Sequence, residues 1–191
     1  MQNYYNLKIP VRLLKDEVTS NTQRYIGDFE TKKKHGWALN MYDSTDFLTD
    51  DAIQFFKDIK VLLLPTCLFF KGDSNDNSSI HIDGHPSLHN WAINIAWGSS
   101  SSEMIWYEPL SEFKKTAVTT SVGTLFIKYT PEEVREIERT TVTDSCLVRV
   151  DIPHRVFNYD LNNTRWCLSI RGVYRFKNWN ETVNFFKPFI I

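Results

Sequence analysis

Two side chains of metal-binding type lie two residues apart in the segment Ser79–Asp83, which reads S-I-H-I-D. Because side chains alternate between the two faces of a strand, His81 and Asp83 are expected to point the same way. Gly84 and Pro86 end the strand directly after them. The pair alone is a weak signal, since a chain with five histidines and 23 acidic residues produces such spacings by chance. A third ligand is needed.

The candidate for the third ligand is His154, which follows Pro153 at the start of an apolar segment. Together with His81 and Asp83 it would supply two imidazole nitrogens and one carboxylate oxygen. A ligand set of this kind leaves coordination positions open and suits ferrous iron, which must bind a co-substrate and oxygen together. Zinc more often takes a closed set or three histidines. The residues therefore indicate a mononuclear iron site.

Short apolar segments rich in β-branched and aromatic residues predict the elements that must position these ligands. They are separated by loops, and few helical patterns lie between them, so we expect a mainly β fold of the antiparallel sandwich or jelly-roll type. Such a barrel has a mouth that can hold a metal or a ligand. The predicted strands are Val61–Phe70, Trp91–Trp97, Glu103–Tyr107, Val118–Tyr129, Cys146–Val150, Arg155–Phe157 and Trp166–Tyr174.

Only a few short flanking helices are predicted. Thr49 is placed to cap a helix that starts at Asp50, and Thr130–Glu133 combines a capping box with proline at the first helical position. A C-terminal helix is expected at Asn180–Phe186, packed on the barrel. The polar segment Gly72–Ser79 is typical of a loop between strands.

The composition is that of a globular protein and excludes several classes. At 191 residues, without repeats or linkers, one domain over residues 1–191 is expected. The net charge of −1 offers no basic field for nucleic acid. No segment has the roughly 20 apolar residues of a membrane span, and Met1–Val18 lacks a signal-peptide core. Three widely spaced cysteines suggest neither disulfides nor zinc thiolates, so we expect a cytoplasmic protein.

A series of segments over residues 79–174 resembles the Fe(II)- and 2-oxoglutarate-dependent oxygenases. The resemblance is to their compact prolyl- and aspartyl-hydroxylase-like members, including small ones carried by bacteria and phages. It implies a double-stranded β-helix (a jelly-roll or cupin-like barrel) and a hydroxylase with iron, 2-oxoglutarate and O2. The segments are I-H-I-D-G, W-A-I-N-I-A-W, M-I-W-Y-E, L-V-R-V-D-I-P-H-R-V-F-N and R-W-C-L-S-I-R.

The same resemblance implies a basic residue that grips the distal carboxylate of 2-oxoglutarate. Arg165, eleven residues after His154, is the first choice, and Arg171 on the same strand face is the second. In Trp91–Trp97 the even positions are small or polar, so Asn94 is expected to hydrogen-bond the co-substrate. Trp106 or Tyr107 is expected to line the same cavity.

Other interpretations stay open at this stage. His81, His85 and His89 recur every four residues as zinc ligands on a helix do, but Gly84 and Pro86 oppose a helix, so His85 and His89 are placed in a loop near the mouth. Alternative functions are a cupin-like isomerase or epimerase and a non-catalytic binding or structural jelly roll. The substrate is expected to be an amino acid, a peptidyl residue or a small metabolite, and the sequence selects none of them.

Overall fold

The computed structural model describes residues 2–25, 37–73, 76–84, 90–112, 115–120, 122–173 and 176–191. Its strands are β1 (Tyr4–Asn6), β2 (Trp37–Asp43), β3 (Thr66–Gly72), β4 (Asp76–Asn77), β5 (Ile80–Asp83), β6 (Trp91–Trp97), β7 (Ser102–Pro109), β8 (Val118–Thr119), β9 (Leu125–Tyr129), β10 (Val134–Thr141), β11 (Asp144–Arg149), β12 (His154–Asn158) and β13 (Arg165–Ile170).

The strands form two antiparallel sheets. The six-stranded sheet has the order β1-β11-β6-β13-β3-β2. The seven-stranded sheet has the order β10-β7-β12-β5-β9-β8, and β4 pairs with β12 beside this path. Neighbouring strands are mostly distant in sequence, as expected of a jelly roll rather than of successive hairpins. The fold is the predicted one, a mainly β double-stranded β-helix of the jelly-roll type.

The helices are short and peripheral, as predicted. They are α1 (Asp16–Ser20), α2 (Ser44–Phe47), α3 (Asp50–Asp58) and α4 (Trp179–Phe186), and 3-10 turns lie at Thr22–Tyr25, Pro131–Glu133 and Lys187–Phe189. The Thr49 hydroxyl accepts a hydrogen bond from the Ala52 amide and caps α3, and the Asn178 side chain caps α4 in the same way.

Strand β6 separates two regions of the core. Its odd residues, such as Ile93, join a large cluster that the six-stranded sheet forms with α2, α3 and α4. Its small even residues Ala92 and Ala96 belong to a second cluster with Met104 and Trp106 of the opposite sheet. The side chains that β6 contributes to the space between the two sheets are therefore small, which leaves room for a cavity.

Candidate metal centre

The pairing of β5 with β12 brings the two predicted histidine ligands together. His81 and His154 are direct partners in this antiparallel pair, and their ring centroids lie 4.7 Å apart. Directly opposite residues in such a pair share a face of the sheet. As the sequence predicts, Pro153 precedes β12, and His154 is the first residue of that strand.

Asp83 completes the cluster on the same face of β5. Its Oδ1 lies 3.1 Å from Nε2 of His81, and its Oδ2 lies 3.7 Å from Nε2 of His154. One ligand atom from each of the three residues falls within 4.8 Å of the other two. The structure thus brings together the three side chains that the sequence predicts as ligands.

Hydrogen bonds at the far side of each imidazole orient the cluster. Nδ1 of His81 lies 2.6 Å from the carbonyl oxygen of Ser79, and Nδ1 of His154 lies 2.9 Å from that of Ile152. A carbonyl only accepts hydrogen bonds, so each ring carries a proton on Nδ1, and Nε2 is the nitrogen that faces Asp83. Metal-bound histidines are held in this way in proteins. The cluster therefore fits a divalent transition metal.

Arg171 adds a contact to the aspartate that the sequence does not predict. Its guanidinium donates a hydrogen bond to Oδ2 of Asp83 at 2.5 Å. Burial alone would raise the pKa of Asp83, but the charge of Arg171 and the polar contacts with Nε2 of His154 and His81 hold that pKa well below its ordinary value. Asp83 is therefore a carboxylate, the form that binds a metal.

Asp83 acts in turn on its histidine neighbour. Burial would lower the pKa of His81, but the hydrogen bond to Asp83 and its negative charge outweigh this effect and raise the pKa above its ordinary value. Nε2 of His81 therefore holds a proton beside Asp83, and that proton must leave before Nε2 can bind a metal.

A cavity between the two sheets opens beside this cluster. Its volume is about 430 Å³ when the open solvent at its mouth is included. The seven-stranded sheet contributes the three candidate ligands, and the six-stranded sheet contributes the facing wall. The lining residues are Phe70, Ser78, His81, Asp83, Asn94, Met104, Val150, His154, Val156, Arg165, Cys167, Ser169 and Arg171.

Both predicted arginines line this cavity, as their parity predicts: Arg165 is the first residue of β13, and Arg171 directly follows the strand. Arg165 is 1% exposed, and its Nε donates a hydrogen bond to the hydroxyl of Ser102 at 3.1 Å. Arg171 is 8% exposed and is engaged by Asp83. The predicted polar residue of β6, Asn94, also faces the cavity, and its buried side-chain oxygen accepts no hydrogen bond from the described residues.

Two residues expected at the cavity lie elsewhere. Trp106 is fully buried, donates its indole N–H to the carbonyl of Arg149 and stacks on Tyr4. Tyr107 points to the opposite face of β7, where Arg155 lies over its ring. The segment 85–89, which contains the two further histidines placed at the mouth, lies outside the described residues. Ser102, which contacts Arg165, carries no sequence signal of its own.

Comparisons with known proteins give neither a family nor a curated relative. No family model matches the chain, and no curated protein matches it. Among solved structures, it is similar to an oxalate oxidase (10% identity, TM-score 0.38, 74% of this chain and 54% of that one). It is also similar to an oxidoreductase of the 2OG-Fe(II) oxygenase family from Burkholderia pseudomallei (11% identity, TM-score 0.36, 65% and 53%).

A seed storage protein also resembles the chain, vicilin from the hazelnut Corylus avellana, at 8% identity and a TM-score of 0.37. The alignment covers 75% of this chain and 30% of vicilin. The chain thus spans between 30% and 54% of the length of these three proteins. At this level of likeness, the assignment of the fold depends on the chain's own strand order and pairing.

Within the part of the chain that the structure describes, no helix combines the length and apolarity of a membrane span.

Proposed function

We propose that the chain is an Fe(II)- and 2-oxoglutarate-dependent dioxygenase, most simply a hydroxylase. One observation carries this proposal: two histidines and a carboxylate converge on one wall of a cavity whose other wall holds a buried arginine. His81, Asp83 and His154 would hold the iron, and Arg165 would bind the distal carboxylate of 2-oxoglutarate. The bound iron would couple decarboxylation of 2-oxoglutarate to succinate with insertion of oxygen into a substrate C–H bond.

The donor set favours iron over zinc. Two imidazoles and one carboxylate leave positions for a chelating co-substrate and for oxygen, whereas structural zinc sites are closed by four protein ligands. The cysteine nearest to the cluster, Cys167, lines the cavity, but burial raises the pKa of its thiol and keeps it protonated. A neutral thiol is a poor metal ligand, since the thiolate is the form that binds.

The charges of the cavity favour an anionic co-substrate. Arg165 and Arg171 line it together with one carboxylate, that of Asp83, and a divalent ion would add further positive charge. Arg171 binds Asp83, and Arg165 is the more deeply buried of the two guanidinium groups, which strengthens a charge pair with a carboxylate. Its planar fork can hold a carboxylate through two hydrogen bonds. This supports Arg165 over Arg171 for the distal end of 2-oxoglutarate.

The remaining cavity residues suit a reaction that must exclude water. Phe70, Met104, Val150 and Val156 form apolar walls around the polar groups. Asn94 retains hydrogen-bonding capacity for the co-substrate. A dry and rigid cavity positions the reactants and suppresses unproductive oxidation. We propose that residues 1–191 form one cytoplasmic oxygenase domain that acts on a small molecule or peptidyl residue, without nucleic acid or membrane as partners.

The test is anaerobic titration of the apoprotein with Fe(II) and then 2-oxoglutarate. We expect the weak visible charge-transfer band of the iron chelate in the wild type. His81→Ala should lose iron binding and the band. Arg165→Met should still bind iron. Its dissociation constant for 2-oxoglutarate should rise at least about tenfold, because a charge-assisted pair is lost. Arg139→Gln, which removes an exposed arginine, should behave as the wild type.

Each negative result has a defined meaning. Iron binding without the band would reject 2-oxoglutarate and favour a cupin-like isomerase or epimerase. Absence of iron binding in the wild type would reject the metal centre and leave a non-catalytic jelly roll. Unchanged 2-oxoglutarate affinity in Arg165→Met would show that Arg165 does not bind the co-substrate, and an equal loss in Arg139→Gln would show that the loss does not depend on the cavity.

A further inference from the structure

Solvent reaches the candidate metal centre from one side. The side chains of His81 and Asp83 are 19% and 17% exposed, whereas that of His154 is 4% exposed. In the seven-stranded sheet, β5 lies between β12, which carries His154, and β9. Among the described strands, the more exposed approach to the cluster is therefore next to β9, which neighbours β5 on the side away from β12 and His154.

Two residues of β9 border this approach. Lys128 is the direct partner of His81, and Phe126 is the direct partner of Asp83, so both point to the face of the sheet that carries the cluster. The ring of Phe126 meets the His81 ring edge-on at a centroid distance of 6.0 Å. Lys128 is exposed, and no acidic group of the described residues lies within ion-pairing distance of its ammonium.

The apolar surface that begins at Phe126 extends to β8, the last strand of the sheet. Val118 of β8 pairs directly with Phe126 and is 42% exposed. We call the three side chains Lys128, Phe126 and Val118 the entry surface. It combines an adjoining apolar area with an ammonium group that has no acidic partner among the described residues. The area that three side chains offer matches a small molecule. It is far smaller than the roughly 800 Å² that each partner buries in a stable protein interface.

We propose that the entry surface binds the substrate of the oxygenase, and that this substrate is a small carboxylic acid with an apolar portion. The inference rests on the proposed function. The carboxylate pairs with the ammonium of Lys128, and the apolar portion packs against Phe126 and Val118, beside the accessible ligands His81 and Asp83. Charge complementarity selects the acid, since an amine would meet a like charge.

Binding of two matched probes, 3-phenylpropionate and 3-phenylpropanamide, tests the inference without iron or turnover. Ligand-observed NMR titration of the full chain gives both dissociation constants at low ionic strength. We expect the acid to bind about two- to fivefold more tightly, the range of a solvent-exposed ion pair. Lys128→Gln should remove this preference, and Phe126→Ala should weaken the binding of both probes. The control Lys8→Gln, which neutralises an exposed lysine beside Phe189, should keep the preference for the acid.

Two results would overturn the inference: no preference in the wild type, or a preference retained in Lys128→Gln. In the second case, loss of the preference in Arg165→Met would place the acid on the buried arginine. Failure of the oxygenase proposal is recognised separately by the missing chelate band. A preference that depends on Lys128 without that band would keep the anion site and reject the oxygenase.

Discussion

At the scale of single residues, the two oxygens of Asp83 have different partners. Oδ1 faces Nε2 of His81 at 3.1 Å, while Oδ2 accepts the hydrogen bond of Arg171 at 2.5 Å. A guanidinium on one oxygen leaves the other for a metal, so Asp83 is prepared to bind through a single oxygen. Arg171 is thus a positioning residue that acts through the carboxylate.

The substitution Arg171→Gln tests this positioning role. Without the guanidinium, Asp83 can rotate away from His81, and we expect metal affinity to fall roughly 10- to 100-fold, as is usual for loss of an outer hydrogen bond to a ligand. Competition with a chelator, with Co(II) as a spectroscopic probe, measures the affinity. The matched control is Arg149→Gln, which breaks the partly buried pair with Asp151. Tighter metal binding in Arg171→Gln would show that the guanidinium competes with the metal instead.

The residue scale also shows what a sequence can predict at this site. Side chains alternate between the two faces of a strand, and this alternation is a local property of the backbone. It predicts that His81 and Asp83 share one face, and that Arg165 and Arg171 share another. The contact between Asp83 and Arg171 joins residues 88 positions apart. It depends on how two sheets face each other, and no periodicity within either strand encodes that relation.

At the scale of elements, the turn that follows β6 positions the start of β13. Gly98 has a φ of +93°, and a Cβ at this position would lie 2.3 Å from the carbonyl oxygen of Thr164. Thr164 directly precedes Arg165, the candidate ligand for the co-substrate. The close approach of the two backbones thus fixes the end of the strand that carries the buried guanidinium.

Gly98→Ala is therefore expected to destabilise the protein by about 2–4 kcal/mol, from the unfavourable φ and the clash with a backbone atom that cannot move alone. Gly123→Ala is the control, since φ is +85° there but nothing lies within 4 Å of the added Cβ. It should lose only about 1 kcal/mol. Urea denaturation measures both free energies of unfolding. Equal losses in the two variants would contradict a steric role for Gly98.

The elements that the sequence misses share a physical cause. Strand β10 is polar on most of its length and lies at an edge of its sheet, and β1 has three residues, so neither shows a clear apolar alternation. The predicted strand over Val118–Tyr129 is two strands, because Thr120 and Thr124 close a turn within it. The capping box at Thr130 is present, but it starts a single 3-10 turn before β10. Pairing between strands overrides these local signals.

At the scale of the whole molecule, most of the core lies away from the cavity. The largest cluster fills the space between the six-stranded sheet and the helices, and it includes Phe69, Trp91 and Phe186. The cavity lies on the other side of the same sheet, among smaller side chains such as Ala92 and Cys167. The largest core cluster and the cavity therefore lie on opposite faces of one sheet, so we expect that a large residue can be removed from this cluster without opening the cavity.

Phe186→Ala tests this separation. Phe186 of α4 is fully buried and packs against Trp91 and Phe176, so its removal should lower the free energy of unfolding by about 3–5 kcal/mol. Leu161→Ala, at a residue that is 72% exposed, should change it by less than about 0.5 kcal/mol. Urea denaturation measures both values.

Because α4 packs on the face opposite to the cavity, metal affinity under native conditions should equal that of the wild type in both variants. A tenfold loss of metal affinity in folded Phe186→Ala would show instead that the C-terminal helix and the metal centre are coupled through the six-stranded sheet.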